Sequence, residues 1–158
     1  MKKWFTGAVL ALVLASGITL AADYVVARST AASIAKGAQY AAGDSIPLAV
    51  GEVLTLVSSG GEVLVLRGAA GGVTLPSLSS GPKTASMEAL TALVNRPSPR
   101  RSFGAMRGKE GCPPVESLGT LDGILAAAAI EGCGALAKEA LDRYITAVEA
   151  AESEAEKR

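Results

Sequence analysis

Apolar and polar residues alternate with a period of two in the first half of the chain. Two such runs, residues 52–57 and 62–67, flank the turn Ser58-Ser59-Gly60-Gly61. Runs rich in Val and Leu around a Gly-Gly turn predict an antiparallel β-hairpin, because such turns need positive φ angles that glycine adopts at no steric cost. Further strands are predicted at Tyr24 to Arg28, at Ser45 to Val50, where Pro47 favours an edge or a bulge, and at Val73 to Leu75.

Apolar residues recur at helical spacing after the β-rich part. Met87, Leu90, Leu93 and Val94 form one apolar face of a short predicted helix. Thr84 or Ser86 can cap the start of this helix, and Asn95-Arg96-Pro97 ends it. The residues from Ser29 to Tyr40 are compatible with either a loop or a short helix.

Two more helices are predicted near the C-terminus. The first starts after Ser117 or Thr120 and runs to Ile130, where Gly132-Cys133-Gly134 interrupts it. The second carries apolar residues from Leu136 to Val148 on one side and charged residues on the other. The charged C-terminal residues 152–158 are predicted to fray into solvent.

These patterns predict an α+β fold, in which a small antiparallel β-hairpin or meander unit is followed by C-terminal helices. The helices either pack on the β unit or form a separate short hairpin. The predicted organisation is a signal peptide over residues 1–22, a β-rich unit over 23–78, a short helix with a basic linker over 79–110, and a helical region with a disulfide over 111–158.

The N-terminus has the pattern of a secretory signal peptide. Lys2 and Lys3 precede an uncharged, apolar run from Trp4 to Ala22, and small residues at its end predict cleavage after Ala21 or Ala22. The predicted location is therefore periplasmic or secreted. The alternative is an uncleaved membrane anchor, because about 20 apolar residues span a bilayer.

The chain has two cysteines, Cys112 and Cys133. Two cysteines in an exported protein usually pair, so the sequence predicts a disulfide that links the segment before the first C-terminal helix to the end of that helix. A redox-active pair is disfavoured, because catalytic dithiols usually have Cys-x-x-Cys spacing. A zinc site is disfavoured as well, since zinc prefers four ligands.

The absence of histidine narrows the candidate chemistry further. The sequence contains 15 basic residues, 15 acidic residues and no histidine. This composition excludes Ser-His and Cys-His nucleophiles and His-ligated metals, so no catalytic residue, metal ligand or cofactor is predicted. A net charge of zero also argues against a nucleic-acid partner, because binding to phosphates needs a large basic surplus.

Two Ser-x-x-Lys matches, at Ser33 to Lys36 and at Ser80 to Lys83, offer an alternative function. This spacing on a helix places lysine beside serine, as in penicillin-recognising enzymes. About 0.6 matches are expected by chance from the serine and lysine content, so the motif has little weight. The alternative reading is therefore a small periplasmic hydrolase that uses Ser-Lys chemistry or carboxylates, which include Asp44, Glu52 and Glu62.

The linker contains the strongest candidate binding surface. Its five basic residues are not interrupted by an acid, and they are Arg96, Arg100, Arg101, Arg107 and Lys109. They form a candidate patch for an anionic partner. The alternative is a solvated linker that the acidic tail, Glu149, Glu152, Glu154 and Glu156, partly neutralises.

The β-rich unit resembles a known family over residues 36–67. Gly43-Asp44 before a strand, then the apolar run 52–57, a glycine turn and a second apolar run are similar to the FecR-type periplasmic domain. The resemblance implies a β-rich envelope domain for protein or glycan interaction. The expected function is thus that of a non-enzymatic exported envelope protein, an interaction or structural module with a protein or cell-envelope partner. A membrane-anchored subunit is the other alternative.

Overall fold

The computed structural model describes residues 22–77, 86–97 and 111–157, and it has an α+β fold. A β-rich part comes first and the helices follow it. The strands are β1 (Tyr24–Ser29), β2 (Gln39–Tyr40), β3 (Ser45–Ile46), β4 (Val53–Ser58), β5 (Val63–Arg67) and β6 (Val73–Thr74). The helices are α1 (Met87–Asn95), α2 (Leu121–Ala129) and α3 (Gly134–Glu156), with a short 3-10 turn at Val115–Ser117 before α2.

Four of the strands form one antiparallel sheet in the order β2-β1-β4-β5, and β3 pairs with β6 in a second, two-stranded sheet. The predicted hairpin is confirmed, since β4 and β5 pair from Val53 opposite Arg67 to Val57 opposite Val63. Gly61 in the connecting turn has a φ of 89°, a value that glycine adopts without strain.

One strand prediction and one helix-end prediction need correction. The strand expected up to Val50 ends at Ile46, directly before Pro47, which has no N–H group to continue a ladder. Of the two structures that the sequence allows between Ser29 and Tyr40, a loop or a short helix, residues 30–38 adopt the loop, which leads from β1 into β2. The C-terminal residues do not fray as predicted, because α3 continues to Glu156.

The sheet lies between two apolar clusters. On one face, Val25 and Val57 pack with buried residues of α1, α2 and α3, such as Leu90, Ile124 and Leu141. On the other face, residues of β1 and β4 pack with Ile46, Leu48 and Leu75 from the second sheet and its flanking loops. The β unit and the helices therefore share a core, which settles the choice between packing on the sheet and a separate helical hairpin.

A β-bulge in β1 changes the direction of one side chain. Val26 lies opposite Leu56 and Arg28 lies opposite Thr55, so Ala27 is an extra residue in the ladder. Strict alternation would place Arg28 on the same face as Val26. The bulge instead directs Arg28 toward the helices.

No helix within the described ranges has the length and apolar character required to cross a membrane. The predicted signal segment lies outside these ranges except for Ala22, so its cleavage after Ala21 or Ala22 stays a prediction.

Candidate functional site

The start of α3 brings together two parts of the chain that flank the basic linker. Cys133, the residue before α3, forms the predicted disulfide with Cys112, and their Cα atoms are 5.6 Å apart. Cys133 is buried, with 1% of its surface exposed. A bond that closes a loop of this length stabilises the fold by about 3 kcal/mol in the chain-entropy model. The disulfide therefore holds the residues after the linker against α3.

Arg96 contacts the same place from the other side of the linker. The Cβ atom that an alanine would add at Gly134 would lie only 1.9 Å from Nη1 of Arg96. The guanidinium thus rests directly on the glycine backbone, where a larger residue would displace it. Because Gly134 follows Cys133, and Arg96 directly follows α1, whose Leu93 and Val94 are buried, the two ends of the linker meet near the first residues of α3.

The structure describes only part of the predicted basic patch. Arg96 is exposed and contacts α3 as described above. The other four predicted members, Arg100, Arg101, Arg107 and Lys109, lie outside the described residues.

Neutralisation by the acidic tail is wrong for Arg96. Its guanidinium lies at Gly134, whereas Glu152 is 18 residues further along α3. At 1.5 Å per residue these positions are about 27 Å apart, well beyond the screening length at physiological salt. Glu149 is also unavailable, because it already binds two residues of the sheet.

Arg28 and Thr55, the two sheet residues that bind Glu149, belong to a polar cluster between the sheet and α3. The Arg28 guanidinium donates to Oε2 of Glu149 at 2.5 Å, and the Thr55 hydroxyl donates to Oε1 at 2.7 Å. Arg28 also donates to the Thr146 hydroxyl at 2.9 Å. This cluster could not be predicted from the sequence, because the β-bulge that directs Arg28 toward α3 has no clear signal in the hydropathy pattern.

A buried lysine stands beside this cluster. Lys138 has only 2% of its side chain exposed and forms an ion pair with Asp142, one turn further along α3. Partial burial lowers the pKa of Lys36, and the nearby positive charges of Lys138 and Arg28 lower it further, whereas Asp142 opposes this effect. Three cationic side chains, the buried Lys138 and the more exposed Arg28 and Lys36, therefore lie close together between β1 and α3.

The catalytic alternatives gain no geometric support from the described residues. Ser33 and Lys36 lie in turns, so the helix on which their spacing depends is absent, and Ser80 and Lys83 lie outside the described residues. Asp44 and Glu52 each accept a hydrogen bond at 2.8 Å from the amide three residues earlier, which stabilises turns. No group of three or more metal-ligating side chains occurs in the described part of the chain.

The resemblance of residues 36–67 to the FecR-type domain stays a prediction. No protein family model, curated protein or solved structure matches this chain.

Proposed function

We propose that this protein is a non-enzymatic interaction module of the bacterial cell envelope, exported by its N-terminal signal peptide. Its partner-binding element is the basic segment from Arg96 to Lys109, and its partner is an acidic protein surface or an anionic polymer of the envelope. The resemblance of the β unit to FecR-type domains fits such a role.

The observation that carries this proposal is the convergence of both linker ends on α3. Arg96 contacts Gly134, and Cys112 is bonded to Cys133. The packed helix α1 restrains one end of the segment and the disulfide restrains the other, so the segment loses less conformational entropy on binding than a free tail does. An interaction role explains why the basic residues stand between two anchored points.

The charges near the first turn of α3, where Arg96 lies, favour the binding of an anion. The N-terminus of a helix carries about half a positive charge, and the first turn of α3 contains no acidic side chain that would offset it. The exposed guanidinium of Arg96 lies at the same place. Positive charge therefore accumulates where the basic segment begins.

The disulfide supports export. Disulfides persist in the periplasm and outside the cell but are rare in the cytosol, where thiols are kept reduced. The Cys112–Cys133 bond is part of the packed core, since Cys133 is buried beside α2 and α3. A cytosolic location would leave the start of α3 without this link.

Affinity capture with matched charge variants tests the proposal. Residues 22–158, tagged and disulfide-bonded, are incubated with a periplasmic extract, and bound proteins and polymers are quantified for wild type, R100Q/R101Q and R143Q/K157Q. Arg143 and Lys157 are exposed residues of or next to α3, so both variants lose two surface charges. The proposal predicts recovery of the same anionic partner by wild type and R143Q/K157Q, with at least tenfold less in R100Q/R101Q. Equal recovery by both variants contradicts it.

A further inference from the structure

The two cysteines of the disulfide differ in exposure. Cys133 is buried, with 1% of its surface exposed, whereas Cys112 is half-buried and follows the exposed Gly111. Thiol–disulfide exchange begins when a thiolate reaches one of the two sulfur atoms, so access determines which sulfur is attacked. A thiolate from solvent therefore reaches Cys112, and Cys133 is the cysteine that leaves.

Cys133 stands at a place that stabilises negative charge. It directly precedes α3, a helix of 23 residues whose first turn contains no acidic side chain. The N-terminal end of a helix dipole is positive, and it stabilises thiolates that lie beside it. Cys112 precedes only the short 3-10 turn before α2. The sulfur that leaves with the electrons of the bond is therefore better accommodated at Cys133 than at Cys112.

Arg96 adds a full positive charge at the same place. Nη1 of its guanidinium lies 1.9 Å from the position that a Cβ atom would take at Gly134, the residue after Cys133. Consecutive Cα atoms are about 3.8 Å apart, so the guanidinium lies within about 7 Å of the Cα atom of Cys133. Among the ion pairs of the described residues, none involves Arg96. Arg96 and the helix dipole together offset the cost of forming a charge at a buried sulfur.

We propose that the disulfide is a site of reversible S-thiolation, at which a small external thiol attaches to Cys112 while Cys133 leaves as a thiolate beside Arg96. The attacking thiolate forms a bond to Sγ of Cys112, the bond between the two cysteine sulfurs breaks, and its electron pair stays on Cys133. The step is an exchange, so it consumes no oxidant or reductant. Attack of Cys133 on the mixed disulfide expels the small thiol as a thiolate and restores the bond.

This role differs from that of a catalytic dithiol. The disulfide is the group that is modified, so it does not need the Cys-x-x-Cys spacing of disulfide oxidoreductases. The inference rests on the disulfide and its surroundings, and it does not depend on the partner proposed above.

The fold keeps its other anchors when Cys112 is modified. Val115 and Leu118, which follow Cys112, pack with the helical core, and the Thr120 hydroxyl caps α2. Exchange therefore releases only the few residues around Cys112 from α3. The modified protein is expected to stay folded, which allows Cys133 to close the disulfide again.

Mapping of the attached thiol tests which sulfur is attacked. Cysteamine is a suitable probe, because its thiolate form carries no net charge and Arg96 steers it little. The disulfide-bonded protein is incubated with excess cysteamine, the exchange is stopped with acid, and peptide mass spectrometry locates the group in singly modified protein. We expect at least about fivefold more cysteamine on Cys112 than on Cys133. Equal modification, a preference for Cys133, or no exchange under conditions in which the unfolded protein reacts would overturn the proposal.

Charge variants test the part played by Arg96. R96Q removes the charge beside Cys133, R96K keeps it, and R143Q removes an exposed charge further along α3. The rate of exchange with cysteamine is expected to fall at least about twofold in R96Q, because the leaving thiolate is less stabilised. R96K and R143Q are expected to react at the wild-type rate. An R96Q protein that reacts as fast as wild type, or an R143Q protein that is slowed equally, would overturn the assignment of Cys133 as a thiolate stabilised by Arg96.

Discussion

The guanidinium of Arg28 binds the carboxylate of Glu149 at 2.5 Å, although 121 residues separate them in the sequence. Arg28 belongs to an inner strand of the sheet, and Glu149 belongs to the fifth turn of α3. Thr55 on the neighbouring strand donates to the same carboxylate. This contact fixes where α3 crosses the sheet, because it joins the middle of the helix to two adjacent strands.

Removal of this contact tests its contribution to stability. Arg28→Gln is expected to lower the free energy of unfolding by about 1 kcal/mol, a modest loss because 41% of the Arg28 side chain reaches solvent. The measurement is urea unfolding of Arg28→Gln, Glu149→Gln and the double variant. Because the two groups interact, the double variant is expected to be less destabilised than the sum of the two single variants. Additive losses would show that the two groups do not interact in solution.

The second prediction concerns the buried pair of Lys138 and Asp142. Lys138→Met replaces a buried ammonium with an apolar group of similar shape, and Asp142 remains partly solvated, so we expect a change within about 1 kcal/mol. Asp142→Asn leaves the buried ammonium without its counter-ion and is expected to cost about 3 kcal/mol. Chemical denaturation of both variants measures this asymmetry. Equal losses would contradict the view that Lys138 is desolvated.

Much of the fold could be predicted from the sequence, because local signals determine it. The Gly60-Gly61 turn between alternating runs predicts the hairpin, and Ser86 and Thr120 cap α1 and α2 as expected. The disulfide was predictable because the chain has two cysteines and its N-terminal pattern predicts export.

The polar cluster could not be predicted, because it depends on long-range geometry. The bulge at Ala27 reverses the orientation of Arg28, and only the paired strand reveals it. The contact of Arg96 with Gly134 likewise depends on how α1 packs against α3, and the periodicity of apolar residues does not predict this packing.

The third prediction is a pH dependence that involves Lys36. The pKa of Lys36 is lowered in the folded protein, so between that pKa and the ordinary value of 10.5 the unfolded chain binds more protons than the folded one. The cost of holding the ammonium is fully present below the folded pKa and disappears as pH rises through this window. Lys36→Gln is therefore expected to be more stable than wild type at pH 7, by a margin that shrinks toward pH 10.5.

Unfolding of both proteins at a series of pH values measures this margin. The difference between the two proteins cancels the titration of Tyr24, whose pKa is raised by burial and by the nearby carboxylates of Glu62 and Asp23. Lys157→Gln, which removes an exposed lysine directly after α3, serves as the control for the loss of one positive charge. A stability margin that grows with pH would contradict a lowered pKa of Lys36 in the folded protein.

The fourth prediction concerns Gly37, where both a positive φ angle and a nearby side chain favour glycine. This residue has a φ of 82°, and an added Cβ would lie 2.3 Å from Oδ1 of Asn95 at the end of α1. Gly43 has a similar φ of 86° but no described atom within 4 Å of such a Cβ. Gly43→Ala is thus expected to cost about 1 kcal/mol for backbone strain alone, and Gly37→Ala up to about 1 kcal/mol more, because the exposed Asn95 side chain must move aside.

Thermal or urea unfolding of these variants measures the difference. Asn95→Ala combined with Gly37→Ala removes the obstructing amide, so the added cost of Gly37→Ala is expected to fall to that of Gly43→Ala. If Asn95→Ala gives no such recovery, the contact between α1 and the turn at Gly37 is not the reason that glycine is needed there.

The central claim is that this is an exported protein whose basic segment is closed by a disulfide. Its most direct test is the intact mass of the protein from the periplasmic fraction of an expressing bacterium, after treatment with a thiol-alkylating reagent without prior reduction. We predict a chain that lacks residues 1–21 or 1–22, is lighter by two hydrogens than its reduced form, and carries no alkyl group on Cys112 or Cys133. A full-length chain retained in the membrane, or alkylation of both cysteines, would contradict the account.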